Sequence, residues 1–365
     1  MLHLRFPARP SPPSVRLLRL PARPSPLALR LPLALLLVVA LPLLNGCAHA
    51  PATTAPPPPT ISGPWTDSFT TLPGRGDDAS PLTLHALVAG PLGGGLVILL
   101  HGFPDFAYSW REVIPLLSTD HRVHAVDLRG YGLSDAPTHG YDLFTVAADV
   151  AAYVDAVLLA EHRPPDTRVH LLTHDWGAAV GWVGTSASPD RWASFTAMDI
   201  PHGRTWIDYY NRTPAQQRAS SYIGRLIGPG GARWIGDMDV VERAGIYRAN
   251  LVRPEGFTDA DAAHYHAAFG SPERLRAPIR YFEDIVHRRA ALVRTVRDAP
   301  PVQVPTLVLW GELDMYVMAP MAAMSCEHVT ADCTAEVWPG VGHWLHWEDP
   351  RGVVDRWRAF VGGLD

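Results

Sequence analysis

Short apolar runs, each followed by a turn of small or polar residues, constrain the fold of this chain most strongly. Four of them stand out, at residues 96–100, 123–126, 169–173 and 305–310. Runs this short and rich in β-branched side chains, alternating with helical segments, are typical of buried parallel strands. Two earlier stretches, 67–71 and 82–88, predict an antiparallel hairpin at one edge. The sequence therefore predicts an α/β fold with a doubly wound, mostly parallel sheet.

The stretch from residue 201 to 299 breaks this alternation. It is rich in tyrosine and arginine, and its pattern indicates helices without strands. An insertion between two strands, above their C-terminal ends, would cover a site at that edge of the sheet. We therefore divide the folded body into a core, residues 65–200 and 300–365, and a helical cap, residues 201–299.

The basic residues are unusual in kind and in distribution. All 31 are arginine, which excludes Schiff-base chemistry on lysine and a lysine-containing phosphate loop. Beyond residue 46, acidic residues outnumber basic ones by 36 to 25. Such a body would repel phosphate backbones, so nucleic acid is not expected as a partner.

The first 46 residues predict a signal peptide. Arginines precede an uncharged apolar stretch, 31–44, which contains two prolines and is shorter than a membrane-spanning helix. The stretch ends in LNGC, which resembles a lipobox, so Cys47 is the expected lipidation site. Ordinary signal cleavage after Ala48 or Ala50 is the alternative.

Residues 47–64 are rich in proline, alanine and threonine and predict an extended tether. With a lipid on Cys47, the body would face the periplasm and contact a membrane only through that anchor. The Ala48 that follows the cysteine favours the outer membrane.

One strand end has the pattern of a nucleophile elbow. The run 169–173 leads into His174-Asp175-Trp176-Gly177 and then into a helix, so a strand, a sharp turn and a helix follow each other. Relative to the G-x-S-x-G pattern, Thr173 replaces the first glycine and Asp175 replaces the serine. A carboxylate there can attack an electrophilic carbon and form an ester. The alternative is an aspartate that only caps the helix.

Three other loops follow strands of the same predicted sheet and strengthen this interpretation. HGFP at 101–104 would bring the amide N–H of Phe103, together with that of Trp176, to an oxyanion hole. GELD at 311–314 supplies an acid, Asp314, and GHW at 342–344 supplies His343. The chain order of nucleophile, acid and histidine is the one that the hydrolase fold requires.

These segments resemble the epoxide hydrolase branch of the α/β-hydrolases. The matching motifs are HGFPDFAYSW at 101–110, DLRGYGLSD at 127–135, THDWGA at 173–178, GELD at 311–314 and GVGHW at 340–344, and the resemblance covers residues 65–365. Haloalkane dehalogenases share the HDWG turn, but many carry an asparagine where this chain has Phe103. The resemblance implies an α/β-hydrolase fold and the opening of an epoxide to a vicinal diol, without a metal or an organic cofactor.

Epoxide hydrolases also use cap tyrosines that hydrogen-bond the epoxide oxygen. The segment 221–230 resembles the first of these regions, which implies that role for Tyr222. The segment 277–282 resembles the second, but Phe282 stands at the matching position and Tyr281 is one residue away. Neighbours on a helix point about 100° apart. Either Tyr222 acts alone, Tyr281 is re-aimed, or the substrate is not an epoxide.

The resemblance implies a reaction in two steps. Asp175 attacks an epoxide carbon while Tyr222 hydrogen-bonds the leaving oxygen, and His343, oriented by Asp314, then activates water. Asp199, after the strand that follows the nucleophile helix, is a second candidate for that acid. A haloalkane dehalogenase with the same nucleophile is an alternative function, and a ligand-binding protein without turnover is another.

Aromatic residues near the motifs indicate the character of the pocket. Trp110 and Trp344, with Tyr281 and Phe282, are expected to line an apolar pocket, and ordinary core packing is the alternative for the tryptophans. An apolar lining would favour a small hydrophobic substrate.

Two cysteines lie in the C-terminal part of the body. Cys326 and Cys333 are seven residues apart, a spacing that fits no zinc-site pattern. In an oxidising periplasm they are candidates for a disulfide that closes a small loop, and two buried thiols are the alternative.

Overall fold

A computed structural model describes residues 58–74 and 80–364 of the chain. The predicted signal peptide, Cys47 and residues 47–57 of the predicted tether lie outside these residues. The strands are β1 (Thr66–Leu72), β2 (Leu82–Ala89), β3 (Gly95–Leu100), β4 (His121–Val126), β5 (Val169–His174), β6 (Trp192–Met198), β7 (Thr306–Gly311) and β8 (Cys333–Trp338).

The strands form one sheet in the order β1-β2-β4-β3-β5-β6-β7-β8. The pairs β1–β2 and β2–β4 are antiparallel, and the pairs from β4 to β8 are parallel. Each of the four apolar runs falls on a parallel strand, and the two earlier stretches form the antiparallel edge. The predicted α/β fold with a mostly parallel sheet is therefore confirmed.

The helices are α1 (Ile114–Leu117), α2 (Leu143–Ala160), α3 (Trp176–Ala187), α4 (Gly203–Arg212), α5 (Pro214–Ala219), α6 (Tyr222–Ile227), α7 (Gly231–Gly236), α8 (Val240–Ala249), α9 (Asp259–Phe269), α10 (Pro272–His287), α11 (Arg289–Asp298), α12 (Met321–Ser325), α13 (Leu345–Glu348) and α14 (Pro350–Val361). Short 3-10 helices span Ala107–Trp110, Pro189–Arg191, Pro254–Gly256 and Cys326–His328.

Helices cover both faces of the sheet. Along β3, Leu96, Ile98 and Leu100 belong to one hydrophobic cluster, and Val97 and Leu99 belong to the other. Successive side chains of a strand point to opposite faces, so each cluster fills one side of the sheet. The first cluster includes residues of α2 and α3, and the second includes residues of α1 and α14. The helix α2 is apolar and long enough to cross a membrane, but 56% of it is buried against the body.

The segment between β6 and β7 consists of α4 to α11 and one short 3-10 helix, and we call α4 to α11 the cap. Hydrogen bonds tie it to the loop after β3. The hydroxyl of Tyr108 donates to Asp261 at 2.9 Å, and the hydroxyl of Tyr247 donates to the carbonyl of Pro104 at 2.7 Å. The cap therefore lies over the C-terminal ends of the parallel strands, where the elbow is.

The two cysteines are joined in the structure. A disulfide links Cys326, in the 3-10 helix after α12, to Cys333, the first residue of β8. Of the two alternatives that the sequence leaves open, the structure contains the bridged one. The bridge closes the turn that leads into the edge strand.

Candidate active site

Asp175 occupies the tip of the turn between β5 and α3. Its φ is +49°, in the left-handed region that side chains rarely adopt, and such residues persist only where the surroundings impose them. The turn can close because residue 177 is glycine: a Cβ there would lie 2.4 Å from the carbonyl oxygen of Leu100. The predicted strand, sharp turn and helix are present, and the carboxylate stands above the sheet edge.

The loop after β3 approaches this carboxylate closely. The amide N–H of Phe103 donates to Oδ1 of Asp175 at 2.7 Å. A Cβ on Gly102 would lie 2.4 Å from the same oxygen, so the loop can come this near only with glycine at that position. The amide of Trp176 begins α3, and amides in a first helical turn have no acceptor within the helix. Both amides that the sequence selects for an oxyanion hole thus flank the carboxylate.

His343 lies between two carboxylates. Its Nε2 is 3.7 Å from Oδ2 of Asp175, and its Nδ1 is 2.8 Å from Oδ2 of Asp314. The other oxygen of Asp314 accepts hydrogen bonds from the amides of Tyr316 at 2.7 Å and Val317 at 3.0 Å. Asp314 therefore binds the Nδ1 side of the imidazole, and Nε2 faces the carboxylate of Asp175.

The charges at this site reinforce each other. Burial alone would raise the pKa of Asp175, but the close approach and charge of His343 outweigh it and lower the pKa below its usual value. Burial alone would lower the pKa of His343, but the charge of Asp314 and the contacts with Asp175 and Asp314 raise it well above its usual value. The carboxylate of Asp175 is therefore ionised at neutral pH, and the resting imidazole beside it holds a proton.

The second candidate for the acid, Asp199, has a different environment. It follows β6 and accepts a hydrogen bond from the amide of Gly311 at 2.9 Å. It makes no hydrogen bond to His343, whereas Asp314 does. Burial and then the charge of Asp314 raise the pKa of Asp199 well above its usual value. The geometry thus favours Asp314 as the partner of the imidazole.

The cap contributes an unpaired hydroxyl to the site. Tyr222 is the first residue of α6, and its hydroxyl has no hydrogen-bond partner within residues 58–74 and 80–364. Burial, followed by the charge of Asp175, raises the pKa of Tyr222 well above its usual value, so the hydroxyl keeps its proton. Its ring contacts Phe282, with ring centroids 6.3 Å apart.

Phe282 and Tyr281 are separated by their places on α10. Phe282 packs against Phe103 and Trp176, with ring centroids 5.0 Å and 4.9 Å away. The hydroxyl of Tyr281 donates to the backbone carbonyl of Arg129 at 2.9 Å, and the residue is completely buried. Tyr281 is therefore not re-aimed into the site, which corrects its assignment to the substrate pocket: its hydroxyl is committed to the core.

The two tryptophans expected to line the pocket lie in different places relative to the site. Trp110 is completely buried in the second hydrophobic cluster, on the face of the sheet that α1 and α14 cover. There it packs on His346 at a centroid distance of 4.5 Å. Trp344 contacts the ring of His343 at 5.0 Å, and its indole N–H donates to Asp105 at 3.0 Å. Trp110 is thus a core residue, and Trp344 packs against the imidazole of His343.

Asp105 and His174 form hydrogen bonds with the loop that contains His343 and Trp344, which we call the histidine loop. The sequence did not reveal this role. His174 Nε2 donates to the backbone carbonyl of His343 at 2.8 Å, so this ring holds the loop by a hydrogen bond and does not only fill space in the core. Asp105 accepts from Trp344 and, at 2.9 Å, from the hydroxyl of Tyr265 in α9. Burial raises the pKa of Asp105 to about 7, against the effect of these two hydrogen bonds. The only signal in the sequence was the position of Asp105 within the HGFPD motif.

His346, three residues after His343, is buried without a hydrogen-bond partner on either ring nitrogen among the described residues. Its ring centroid lies 4.6 Å from that of His174, with the two rings tilted by 50°, and burial lowers its pKa well below the usual value. Side chains able to hold a metal occur in two buried groups, Asp105 with His174 and His346, and His174 with Asp199 and His343. His174 belongs to both groups and His343 to one of them. In the site around Asp175, each of these rings takes part in a hydrogen bond.

Comparison with known proteins agrees with this fold. Residues 95–350 match the model of the α/β-hydrolase fold family. The human protein named epoxide hydrolase 4 is 30% identical over 281 residues, which cover 74% of this chain and 73% of that protein. An AB hydrolase superfamily protein of Bacillus subtilis, YfhM, is 30% identical over 276 residues, which cover 74% of this chain and 91% of that protein.

Solved structures agree in fold. A variant of an epoxide hydrolase from Bacillus megaterium superposes with a TM-score of 0.67 at 24% identity, covering 77% of this chain and 97% of that one. Cfl2 of Burkholderia cenocepacia superposes with a TM-score of 0.63 at 25% identity, covering 81% and 96%. This chain therefore belongs to the α/β-hydrolase fold family and is a hydrolase enzyme similar to epoxide hydrolases.

Proposed function

We propose that this protein hydrolyses an epoxide to a vicinal diol through a covalent ester on Asp175. The observation that carries the proposal is the placement of an ionised carboxylate on the elbow, 3.7 Å from the imidazole of His343. A carboxylate in that place is a nucleophile towards carbon, and the ester that it forms lies within reach of a base. Tyr222 supplies a hydroxyl that can hydrogen-bond and protonate the oxygen of the opened epoxide ring.

In the first step, a carboxylate oxygen of Asp175 bonds to an epoxide carbon and the ring C–O bond breaks. The oxygen leaves with the bonding electron pair and takes a hydrogen bond, then a proton, from Tyr222. A donor aimed at developing charge stabilises the transition state more than the ground state. Tyr222 suits this role because its hydroxyl keeps its proton and has no partner in the described part of the chain.

In the second step, His343 takes a proton from water, and the hydroxide attacks the ester carbonyl carbon of Asp175. The amides of Phe103 and Trp176 stabilise the resulting oxyanion, and its collapse releases the diol and restores the carboxylate. Ester formation removes the negative charge of Asp175, one of the causes that raise the pKa of His343. Once that pKa has fallen, the proton of His343 passes to Tyr222 and restores its hydroxyl, and the neutral imidazole can then take a proton from water.

A haloalkane dehalogenase is the second candidate function. The indole N–H of Trp176, the residue after the nucleophile, is buried without an acceptor among the described residues. A buried donor without a partner is costly, and a leaving halide beside Asp175 would satisfy it. This chemistry uses the same nucleophile and base, so only the leaving group distinguishes the two reactions.

The experiment is single-turnover mass spectrometry with a panel of aromatic and aliphatic epoxides and haloalkanes. His343→Gln should form the ester but not hydrolyse it, so an adduct of substrate mass should accumulate on the peptide that carries Asp175. His346→Gln is the matched control, since it removes an imidazole three residues away; it should release product without accumulating the adduct.

The outcomes separate the candidates. An adduct from epoxides in His343→Gln, with diol released by the parent, supports the proposal. An adduct from haloalkanes alone, with halide released, replaces it with the dehalogenase. If neither class labels Asp175, the binding protein without turnover becomes the better description.

The surroundings of the carboxylate support a small hydrophobic substrate. Phe103, Trp176 and Phe282 pack edge to face beside Asp175, and apolar linings select apolar ligands. The acidic balance of the body argues against nucleic acid as a partner.

We also propose that the protein is attached by a lipid on Cys47 to the periplasmic side of the outer membrane. The support is the sequence before residue 47, with its arginines, its apolar stretch and the LNGC ending. Labelling of cells with a radioactive fatty acid should mark the parent but not Cys47→Ser. Equal labelling of both, or none of either, would leave ordinary signal cleavage as the explanation.

A further inference from the structure

Gln216 is a completely buried amide at the boundary between the cap and the core. It lies in α5, and its side chain reaches the loop that follows Asp314. Its Nε2 donates to the backbone carbonyl of Tyr316 at 2.7 Å, and its Oε1 accepts from the amide of Met318 at 2.9 Å. The two partners are 100 and 102 residues away along the chain, so these bonds join a segment of the cap to a segment of the core.

The same amide also binds within the cap. Nε2 of Gln216 donates to Oγ of Ser220 at 3.0 Å, and the amide of Ser220 donates to the backbone carbonyl of Gln216 at 3.0 Å. Ser220 lies two residues before Tyr222, the first residue of α6. A primary amide offers two N–H groups and one oxygen, and the side chain of Gln216 uses both its nitrogen and its oxygen. Its partners fix the direction in which the amide points, since a reversed amide would place its oxygen against a carbonyl oxygen.

The loop that this amide binds touches both sides of the site. The amide of Tyr316 donates to Asp314, the hydrogen-bond partner of His343. The ring of Tyr316 contacts the rings of Tyr222 and His343, with centroids 5.5 Å and 5.3 Å away. Its hydroxyl donates to Asn250 of the cap at 2.7 Å. A displacement of this loop relative to the cap would therefore change the distance between the hydroxyl of the cap and the imidazole of the core.

Tyr222 has few polar contacts of its own to fix its place. Its hydroxyl has no hydrogen-bond partner in the described part of the chain. The helix α6 has six residues, and no side chain caps its first turn. Helices this short gain little stability from their own hydrogen bonds, so their position depends on tertiary contacts. Gln216 supplies such contacts six residues before the tyrosine.

We propose that Gln216 is a positioning residue, which sets the distance of the Tyr222 hydroxyl from Asp175 by tying the segment before α6 to the loop after Asp314. A misplacement of about 1 Å in a reacting group can cost about 100-fold in rate. Gln216 touches no reacting atom in this mechanism, so its effect on the reaction passes through Tyr222. This inference rests on the proposed function, because it takes Tyr222 as the donor to the leaving oxygen.

A double-mutant cycle with Gln216→Leu and Tyr222→Phe tests the inference. Leucine is close to glutamine in size but makes neither bond to the loop. The assay is the rate of ester formation in a single turnover. Gln216→Leu should slow this step by about 10- to 100-fold in the parent but by less than about twofold in the Tyr222→Phe background, where no hydroxyl is left to misplace. Equal factors in the two backgrounds would indicate a general loosening of the site and would overturn the inference.

Ser220→Ala is the matched control. It removes the bond that Gln216 makes within the cap and keeps both bonds to the core loop, so ester formation should stay within about twofold of the parental rate. A loss as large as that of Gln216→Leu would show that the bonds to the loop do not position Tyr222. If Gln216→Leu does not fold, Gln216→Asn takes its place in the cycle with the same expected factors, because its amide is one methylene too short to reach the loop.

A second measurement does not require turnover. Hydrogen–deuterium exchange in Gln216→Leu should rise together in residues 220–227 and 314–318. Exchange in α9 should stay at the parental rate, because Tyr108 and Arg111 hold Asp261 of that helix. Unchanged exchange in residues 220–227 would overturn the inference. If the parent forms no ester with any epoxide and yet both segments exchange faster, the proposed function fails while the tie made by Gln216 stands.

Discussion

Replacing Tyr222 with phenylalanine is the most informative single change at this site. The hydroxyl has no hydrogen-bond partner in the described part of the chain, so the change removes no interaction within the protein. Neither residue of the second tyrosine region replaces it, because residue 282 is phenylalanine and the hydroxyl of Tyr281 donates to the carbonyl of Arg129. The full contribution of one donor to developing charge should therefore be lost, about 100- to 1,000-fold in rate, or about 3 to 4 kcal/mol.

The assay is the rate of ester formation in a single turnover, followed by the fluorescence of Trp176 beside the nucleophile. Tyr222→Phe should slow this step, and the midpoint of thermal unfolding should stay near that of the parent. Tyr281→Phe is the matched control: it should lose about 1 kcal/mol of stability with its buried hydrogen bond but form the ester at nearly the parental rate. A loss below tenfold in Tyr222→Phe, or a larger loss in Tyr281→Phe, would refute this account of the cap.

Three further predictions concern pH and stability. At acid pH the parent should accumulate the ester, because Asp175 stays ionised while His343 keeps its proton. Rapid-quench mass spectrometry at several pH values measures the amount of ester. Ester breakdown independent of pH would exclude His343 as the base. Hydrogen bonds to His124, Arg122 and Arg163 outweigh burial and lower the pKa of Glu161 to about 2. Because that pKa is depressed, the stability it provides is present above the unfolded pKa of about 4.5 and is lost as pH falls towards 2. In chemical denaturation the parent should therefore lose up to about 3 kcal/mol more than Glu161→Gln over that window; equal losses would contradict the ion-pair network. Replacing both bridged cysteines with serine should cost about 2 kcal/mol through the short loop that the disulfide closes, and a melting temperature that matches the parent would show that the bridge does not stabilise the fold.

The features that the sequence predicted best are those with a local physical cause. The strand runs and the elbow depend on neighbouring residues: a buried parallel strand is apolar throughout, and the turn needs a small residue two positions after Asp175. The glycine at 102 follows the same logic, since the approach of the loop to Asp175 leaves no room for a Cβ. Such constraints can be recognised in one stretch of sequence.

The features that the sequence did not predict depend on contacts between distant parts of the chain. His174 binds the carbonyl of His343, which is 169 residues away, and no local pattern indicates that pairing. Trp110 lies within a recognised motif, but the motif does not say on which side of the sheet its ring packs. The helical angle between Tyr281 and Phe282 did indicate that one could not replace the other, but not that the hydroxyl would bind Arg129.

The buried carboxyl of Asp105 has a consequence for exchanging parts between relatives. It accepts hydrogen bonds from Tyr265 of the cap and from Trp344, the neighbour of His343. A chimera that carries another cap without a hydroxyl at the position of Tyr265 would leave this carboxyl with one donor fewer, directly beneath the histidine loop. The cap is therefore not an independent module that only selects substrates, and a successful transplant has to bring a donor for Asp105 with it.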